Sequence, residues 1–196
     1  MIRICIVGDI GSGKSYVAKQ FGYPVFNADY EVNKIYKKNK KCFKKLKKVL
    51  PEYIFSFPVR TNELSKAIIE NKNNIKKINK VIHPEVRLRM KKFLNKNKNK
   101  KAVVLDIPLL LEGNIIKQRD VLVYVDAKKK EISKRLKKRH NFNPKILGKL
   151  KKLQLPLETK RRKSNYILKN NFKSLSVKKD VKILKKKFLE NERSST

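Results

Sequence analysis

Three glycines, a lysine and a serine lie close together near the start of the chain, in the segment GDIGSGKS at residues 8–15. Gly8, Gly13, Lys14 and Ser15 satisfy the spacing G-x-x-x-x-G-K-[ST], which defines a P-loop. In such a loop the backbone N–H groups surround phosphate oxygens, the lysine reaches the β- and γ-phosphates, and the serine hydroxyl ligates Mg²⁺. The spacing therefore predicts a site for a nucleoside triphosphate with Mg²⁺; the alternative is a plain glycine-rich turn.

Two aspartates are candidates for the remaining chemistry. Asp106 closes the apolar segment AVVLD, where a P-loop enzyme needs an acidic ligand beside the metal. Asp29 follows another short apolar segment, and a carboxylate there can accept the proton of an attacking hydroxyl. Asp106 can also be read as a turn or N-cap residue, and Asp29 as the N-cap of a helix starting near Tyr30. The sequence leaves these alternatives open.

Strand and helix patterns alternate along the chain, which predicts an α/β fold with a parallel sheet flanked by helices. The predicted strands are residues 2–7, 24–29, 102–113, 120–127 and 165–171. Ligands collect at the carboxyl ends of parallel strands, so we expect the P-loop, Asp29 and Asp106 at one edge of the sheet.

Helical spacing of apolar residues fills the intervals between the strands. Residues 29–50 and about 60–97 are predicted to be helical, and Pro84 disfavours helix at His83, so two helices are expected to meet at an angle there. A basic helical segment covers residues 128–163. A closing amphipathic helix is predicted from Leu175, Val181, Leu184 and Phe188.

The chain of 196 residues carries a formal net charge of +37. Such a charge favours polyanionic partners, namely nucleic acid, anionic membrane or phosphorylated small molecules. The basic residues are spread evenly, so the alternative is a general enrichment in lysine without a dedicated binding surface. Nucleic acid is therefore expected to bind only non-specifically, through the net charge.

Cysteine content and hydropathy bear on the compartment in which the protein is expected. Cys5 and Cys42 lie in different predicted elements without a partner at metal-ligand spacing, which favours a reducing environment. No apolar run approaches the length that crosses a bilayer, and no cleavable signal pattern precedes the P-loop. We therefore predict a cytoplasmic protein without a membrane partner; oligomeric state is not predicted.

Seven features follow one another along the chain: GDIGSGKS (8–15), NAD (27–29), IHPEVR (82–87), DIPLLLE (106–112), RLKKRHN (135–141), Gln154 and YILKNN (166–171). In this order they resemble the dephospho-CoA kinase family of P-loop kinases. The resemblance covers most of the chain and implies ATP-dependent phosphorylation of the ribose 3′-hydroxyl of dephospho-CoA, the last step of coenzyme A synthesis. It implies one kinase domain over residues 1–196, with a helical substrate-binding region at about 60–100 and a lid at about 128–163.

The resemblance also implies roles for the matching residues. Asp29 would be the base for the 3′-hydroxyl, and Arg139 would belong to a mobile lid that closes over ATP. The other implied contacts are Gly8, Gly11, Ser12, Gly13, Lys14, Ser15 and Tyr16 with the ATP phosphates, Asn170 near the adenine, His83, Arg87 and Glu112 with the substrate, and Ser15 and Asp106 with the metal. His83 can also be read as a capping or packing residue, and Glu112 as a turn cap.

Three positions depart from the family pattern. Asn27 stands where the family usually has an aspartate, Ser164 where it has an acidic residue, and Tyr16 where it has a threonine. Asn27 reduces the negative charge on the metal side by one.

Three other functions are alternatives for a chain with a P-loop. A nucleoside or nucleoside monophosphate kinase is disfavoured by the segments at 82–87 and 106–112. A nucleic-acid-binding P-loop NTPase is disfavoured because the chain has neither zinc-ligand spacing nor an aromatic RNA-binding signature. An inactive relic of the kinase is the third alternative, because of the departures at Asn27 and Ser164.

Overall fold

Short apolar runs build a sheet of five parallel strands, in the order β2-β3-β1-β4-β5. A computed structural model describes residues 1–108, 110–113, 115–139 and 142–193. The strands are β1 Ile2–Gly8, β2 Val25–Asn27, β3 Ala102–Asp106, β4 Asp120–Asp126 and β5 Tyr166–Lys169. The predicted fold class, a parallel sheet flanked by helices, is confirmed.

Nine helices connect or follow the strands in the described part of the chain. They are α1 Lys14–Gln20, α2 Ala28–Lys38, α3 Lys40–Val49, α4 Thr61–Glu70, α5 Asn73–Lys96, α6 Lys129–Lys137, α7 Pro144–Lys152, α8 Leu157–Arg162 and α9 Ser174–Arg193.

β1 is the central strand, and all seven of its residues are buried. It pairs with β3 on one side and β4 on the other, so both of its backbone edges are hydrogen-bonded and both faces are covered. The register aligns Ile6 with Asp106, and Asn27 at the end of β2 also aligns with Asp106. The carboxyl ends of three neighbouring strands therefore lie side by side at one sheet edge.

β3 is shorter than predicted. The predicted strand ran to residue 113, but β3 ends at Asp106, and the described residues from Pro108 to Gly113 form turns. Proline has no N–H for a ladder hydrogen bond, so an apolar run that contains one does not continue a strand in the interior of a sheet.

The predicted helix break at His83 is wrong. α5 is continuous through Pro84, and the break lies at Asn71 instead, between α4 and α5. Asparagine side chains stabilise that turn, since Asn71 Oδ1 accepts a hydrogen bond from the N–H of Asn73 at 2.8 Å, and Asn74 Nδ2 donates to the carbonyl of Ala67 at 3.0 Å. Apolar residues on both sides of the proline pack α5 into the core of unit 2: Ile78 and Ile82 before it are buried, and Val86 after it is partly buried.

The structure refines two further helix predictions. The stretch 29–50 forms two helices, because the side chain of Asn39 accepts a hydrogen bond from the N–H of Cys42 and caps α3. On α9, Leu175 is 82% exposed, whereas Val177 is fully buried and takes the core position expected for Leu175. The other predicted core residues of the closing helix are buried.

The chain divides into two compact units. Unit 1 contains Met1–Asn27, Asn97–Phe142 and Gln154–Thr196, and unit 2 contains Ala28–Lys96 and Asn143–Leu153. The core of unit 1 is formed by the sheet with α1 and α9, and the rings of Phe21 and Phe188 stack in it at 6.1 Å. The core of unit 2 is formed by apolar residues of α2 to α5 and the loop between α3 and α4.

Helix α7 belongs to unit 2, whereas α6 and α8 belong to unit 1. The ammonium of Lys149 on α7 donates to the carbonyls of Ile68 and Ile69, each at 2.7 Å, and so caps the C-terminal end of α4. The segment 128–163, predicted as one lid, is therefore divided between the two units.

Both cysteines are free and buried. Cys5 lies beside the buried ion pair of Arg3 with Asp120 at 2.9 Å, and burial, followed by the charge of Asp120, raises the pKa of its thiol. Such a thiol stays protonated and unreactive. Within the described residues, no helix combines the length and the low charge that are needed to span a membrane.

Replacing Pro84 by alanine is expected to raise the free energy of unfolding by about 2 kcal/mol, because it adds an N–H for the carbonyl four residues earlier in α5. The matched control is Pro144→Ala at the first position of α7, where proline costs nothing and the change is expected to stay within about 0.5 kcal/mol. Urea unfolding of both variants measures the difference. Equal effects of the two substitutions would contradict the account of α5.

Candidate active site

The P-loop connects the end of β1 to the start of α1 in unit 1. Gly13 has φ 89°, a left-handed conformation, and a Cβ atom there would overlap the side-chain amide of Asn170. Asn170, 2% exposed, donates from Nδ2 to the carbonyl of Ser12 at 2.8 Å, and its Oδ1 accepts from the N–H of Phe172 at 2.8 Å. Only glycine leaves room for this contact, so the residue after β5 holds the loop in place.

Lys14 lies against the P-loop itself. Its ammonium donates to the carbonyl of Asp9 at 2.7 Å and to that of Gly8 at 3.3 Å. These contacts keep the positive charge of Lys14 at the loop rather than in solvent. Phosphate binding by the motif requires the charge at the loop.

Two predicted metal ligands share one contact. The amide Nδ2 of Asn27 lies 2.5 Å from Asp106 Oδ2 and 3.4 Å from Ser15 Oγ. Asp106 is 3% exposed, at the end of β3, and Ser15 lies in the first turn of α1. The structure therefore brings a hydroxyl and a carboxylate, predicted from distant segments, to the same amide group.

These donors fit a magnesium ion that is only partly ligated by protein. Mg²⁺ prefers oxygen ligands and usually keeps several waters, being bound by one or two protein groups together with substrate phosphates. Among the residues described, no group of three or more histidines, cysteines, aspartates and glutamates could hold a metal alone. Ser15 and Asp106 supply the oxygen type and the small number that such a site requires.

Helix α6, at the start of the predicted lid, packs on the P-loop. A Cβ atom at Gly11 would lie 2.9 Å from Leu136 Cγ and 3.1 Å from Ile132 Cγ2, so these two side chains rest on the loop backbone. On the same helix, the guanidinium of Arg135 stacks over the ring of Phe172 at 4.5 Å. α6 is thus held by apolar packing on the P-loop and by a cation–π contact.

Two arginines of the segment RLKKRHN, Arg135 and Arg139, differ in their surroundings. Arg135 is held by the ring of Phe172, whereas Arg139 is exposed, just beyond the end of α6. Near them in sequence, His140 and Asn141 lie outside the described residues.

Tyr16 is one of the three positions that depart from the family pattern. Its hydroxyl is hydrogen-bonded to Ser174 Oγ at 2.7 Å.

Glu112 is engaged by a buried lysine that the sequence reasoning missed. Lys160 on α8 is 1% exposed, and its Nζ lies 3.0 Å from Glu112 Oε1 and 2.8 Å from Gln154 Oε1. The same Glu112 oxygen accepts from the N–H of Leu155 at 2.8 Å. Its other oxygen is buried and accepts no hydrogen bond in the described structure. The pair fastens the turn after β3 to α8.

One signal for Lys160 was present in the sequence. Glu112 is an acidic residue that closes an apolar run, and a buried carboxylate needs a counter-charge. The many neighbouring lysines concealed which of them supplies it.

The other predicted site residues belong to unit 2. Asp29 lies in the first turn of α2 and is exposed. His83 and Arg87 lie one turn apart on α5, and both reach solvent. Desolvation, followed by the charge of Arg87, lowers the pKa of His83, so its imidazole is neutral at pH 7. A neutral imidazole can donate and accept hydrogen bonds but adds no charge.

An ion-pair network connects these two helices within unit 2. Arg89 on α5 contacts Glu31 on α2 at 2.9 Å and Glu85 on its own helix at 3.2 Å. This network fixes α2 against α5, and with it the helix that carries Asp29.

Comparison with known proteins identifies the family of this chain. The sequence model of the dephospho-CoA kinase family matches residues 2–175. The chain belongs to the dephospho-CoA kinase family. A dephospho-CoA kinase from Wolbachia pipientis wMel is 33% identical over 170 residues, covering 84% of this chain and 87% of the relative.

Two solved structures extend the likeness to the fold of this family member. A crystal structure from Thermus thermophilus superimposes with a TM-score of 0.76 at 29% identity, covering 96% of this chain and 97% of the other. A dephospho-CoA kinase from Campylobacter jejuni gives 0.65 at 19% identity, covering 97% and 98%. The second likeness shows the fold alone.

Replacing Lys160 by methionine is expected to lower the free energy of unfolding by about 3–5 kcal/mol, because it leaves the Glu112 carboxylate buried without its counter-charge. The exposed Lys163→Met is the matched control, with an expected change within about 0.5 kcal/mol. Adding Glu112→Gln to Lys160→Met is expected to restore at least half of the loss. Urea unfolding measures all three, and a loss that the second substitution does not reduce would exclude the ion pair as its cause.

Proposed function

We propose that this protein transfers the γ-phosphoryl group of ATP to the ribose 3′-hydroxyl of dephospho-CoA, giving coenzyme A and ADP. The observation that carries the proposal is the family match over residues 2–175, within which the P-loop and Asp106 are present together. As a kinase of this family, the enzyme uses ATP and a small-molecule substrate. The finer assignments below, including Mg²⁺ and the roles of single residues, are part of the proposal.

The P-loop holds the phosphates of ATP through the backbone of Gly8 to Tyr16. Lys14, placed at the loop by two carbonyls, contacts the β- and γ-phosphates and offsets the negative charge that spreads over the transferring group. Mg²⁺, held by Ser15 and Asp106, supplies further charge neutralisation at the phosphate oxygens when bound. Asn170 keeps the backbone at Gly13 in position by donating a hydrogen bond to the carbonyl of Ser12.

Asp29 is proposed as the general base. Its exposed carboxylate on α2 accepts the proton of the 3′-hydroxyl as that oxygen forms its bond to the γ-phosphorus, while the bond to the β-phosphate oxygen breaks and ADP leaves. The Glu31–Arg89 ion pair supports this role because it limits the motion of α2 against α5.

The remaining assignments concern substrate and water. His83 and Arg87 are proposed to hold dephospho-CoA, since a guanidinium binds phosphate in a bidentate manner and a neutral imidazole adds hydrogen bonds. Arg139, exposed at the end of α6, is proposed to contact the transferring phosphate and help to exclude water, which would otherwise accept it. The role that the structure gives Glu112 is the ion pair with Lys160. A contact of Glu112 with the substrate stays a prediction.

The function is tested by the release of ADP from ATP and Mg²⁺ with dephospho-CoA, adenosine, AMP and DNA as separate acceptors, with the product identified by mass. We expect phosphorylation of dephospho-CoA alone. A phosphorylated nucleoside or nucleotide would instead identify the enzyme as a nucleoside or nucleotide kinase, and ATP hydrolysis stimulated by DNA would support the nucleic-acid-dependent alternative.

Asp29→Asn is expected to lower kcat by about 10²–10⁴-fold with ATP affinity unchanged, because it removes the proton acceptor and leaves the P-loop intact. Asp180→Asn on α9 is a matched control, expected to keep the full rate. Single-turnover kinetics and equilibrium ATP binding separate the two effects. Loss of ATP binding in Asp29→Asn with a proportionate loss of rate would assign Asp29 a structural role.

A further inference from the structure

Asn27 contacts both oxygen ligands that are proposed for the metal. It ends β2 directly beside Asp106 in the register of the sheet, and its Nδ2 reaches Asp106 Oδ2 at 2.5 Å and Ser15 Oγ at 3.4 Å. The group that faces a carboxylate must be the NH₂ of the amide, since an ionised carboxylate only accepts hydrogen bonds. The amide therefore orients the ligands without being a negative ligand itself.

The uncharged amide has an electrostatic consequence. It satisfies the buried Asp106, which would otherwise lose its hydration without compensation, and it adds no second negative charge beside that carboxylate. The number of charged ligands largely sets the affinity of an oxygen site for a divalent cation. No described cluster of three or more acidic, histidine or cysteine side chains adds to it.

The net charge of the chain acts in the same direction. A formal charge of +37 opposes the approach of a free divalent cation and favours the approach of an anionic complex of the metal with a nucleoside triphosphate. The phosphates then supply the negative ligands that the protein lacks.

We infer that Asn27 is a positioning residue that adapts this site to a metal delivered together with the nucleotide, and that the nucleotide-free protein does not take up the divalent cation. The inference rests on the proposed use of Mg²⁺ with ATP. Asn27 holds Asp106 and Ser15 in the arrangement that the incoming complex needs, and its neutrality keeps the empty P-loop from binding metal alone.

The test uses Mn²⁺ as the probe, with unbound Mn²⁺ measured by electron paramagnetic resonance, and with ADP or a non-hydrolysable ATP analogue present or absent. Wild-type protein is expected to bind Mn²⁺ only with nucleotide. Asn27→Asp places a carboxylate beside that of Asp106 and is expected to raise the amount of Mn²⁺ bound without nucleotide at least about ten-fold above the wild-type background. Asn99 is exposed in the turn before β3, at the amino ends of the strands, away from the P-loop. Asn99→Asp adds the same charge there and is expected to bind Mn²⁺ as wild type does.

Asn27→Ala removes the amide donor. The Mn²⁺ affinity of its nucleotide complex is expected to fall about ten-fold, as is usual for groups that orient metal ligands, while nucleotide affinity without metal stays unchanged. Asn27→Ser keeps a short donor and is expected to lose less. Thermal unfolding establishes whether each variant is folded. If Asn27→Ala does not fold, the test is made with Asn27→Ser and Asn27→Asp.

Three results would overturn the inference: wild-type protein that binds Mn²⁺ equally well without nucleotide, Asn27→Asp that behaves like Asn99→Asp, or Asn27→Ala with unchanged Mn²⁺ affinity. None of these affects the proposed kinase reaction if wild-type protein still phosphorylates dephospho-CoA. A wild-type protein that binds no nucleotide would instead contradict the proposed function itself.

Discussion

The parallel pairing of β1 with β3 and β4 is the constraint on which the site in unit 1 depends. Because β1 is buried along its whole length and hydrogen-bonded on both edges, its last residue, Gly8, emerges at a fixed point. The same register places Asp106 beside β1 and Asn27 beside Asp106. A shift of one residue in β3 would turn the Asp106 carboxylate to the other face of the sheet and separate it from Ser15.

The polar groups at this edge are held by the protein before any ligand is bound. Asp106, Lys160 and Asn170 are each less than 4% exposed, and each has a partner that is itself a site residue or adjoins one. Burying such groups costs stability unless they are hydrogen-bonded, so these satisfied contacts hold the edge together with the apolar packing of Ile132 and Leu136 on the P-loop. The benefit is preorganisation, since phosphate ligands meet groups that need little rearrangement.

Local patterns predicted more of this molecule than non-local contacts did. The P-loop and the parallel sheet follow from spacing and from short apolar runs, and both are present as predicted. The helix break was misplaced because the rule for the residue before a proline is weaker than the apolar packing along α5, whereas the asparagines at 71–74 end α4. Lys160 could not be identified among the lysines of its segment, because its burial depends on Glu112, 48 residues earlier. Asn27 was noted only as a lost charge, since its donor role requires the register of β2 with β3.

The order of the strands also bears on how the chain is synthesised. β1 is made first, but Ile2 pairs with Ala102, so the most buried strand must wait for about a hundred further residues before it gains a neighbour on the β3 side. The continuous segment Ala28–Lys96 forms its helical core from contacts near in sequence, which close quickly and without large entropic cost. We therefore expect the helical unit to take shape on the ribosome while β1 is still unpaired, with its apolar side chains and its unpaired backbone edge exposed to chaperones or to other nascent chains.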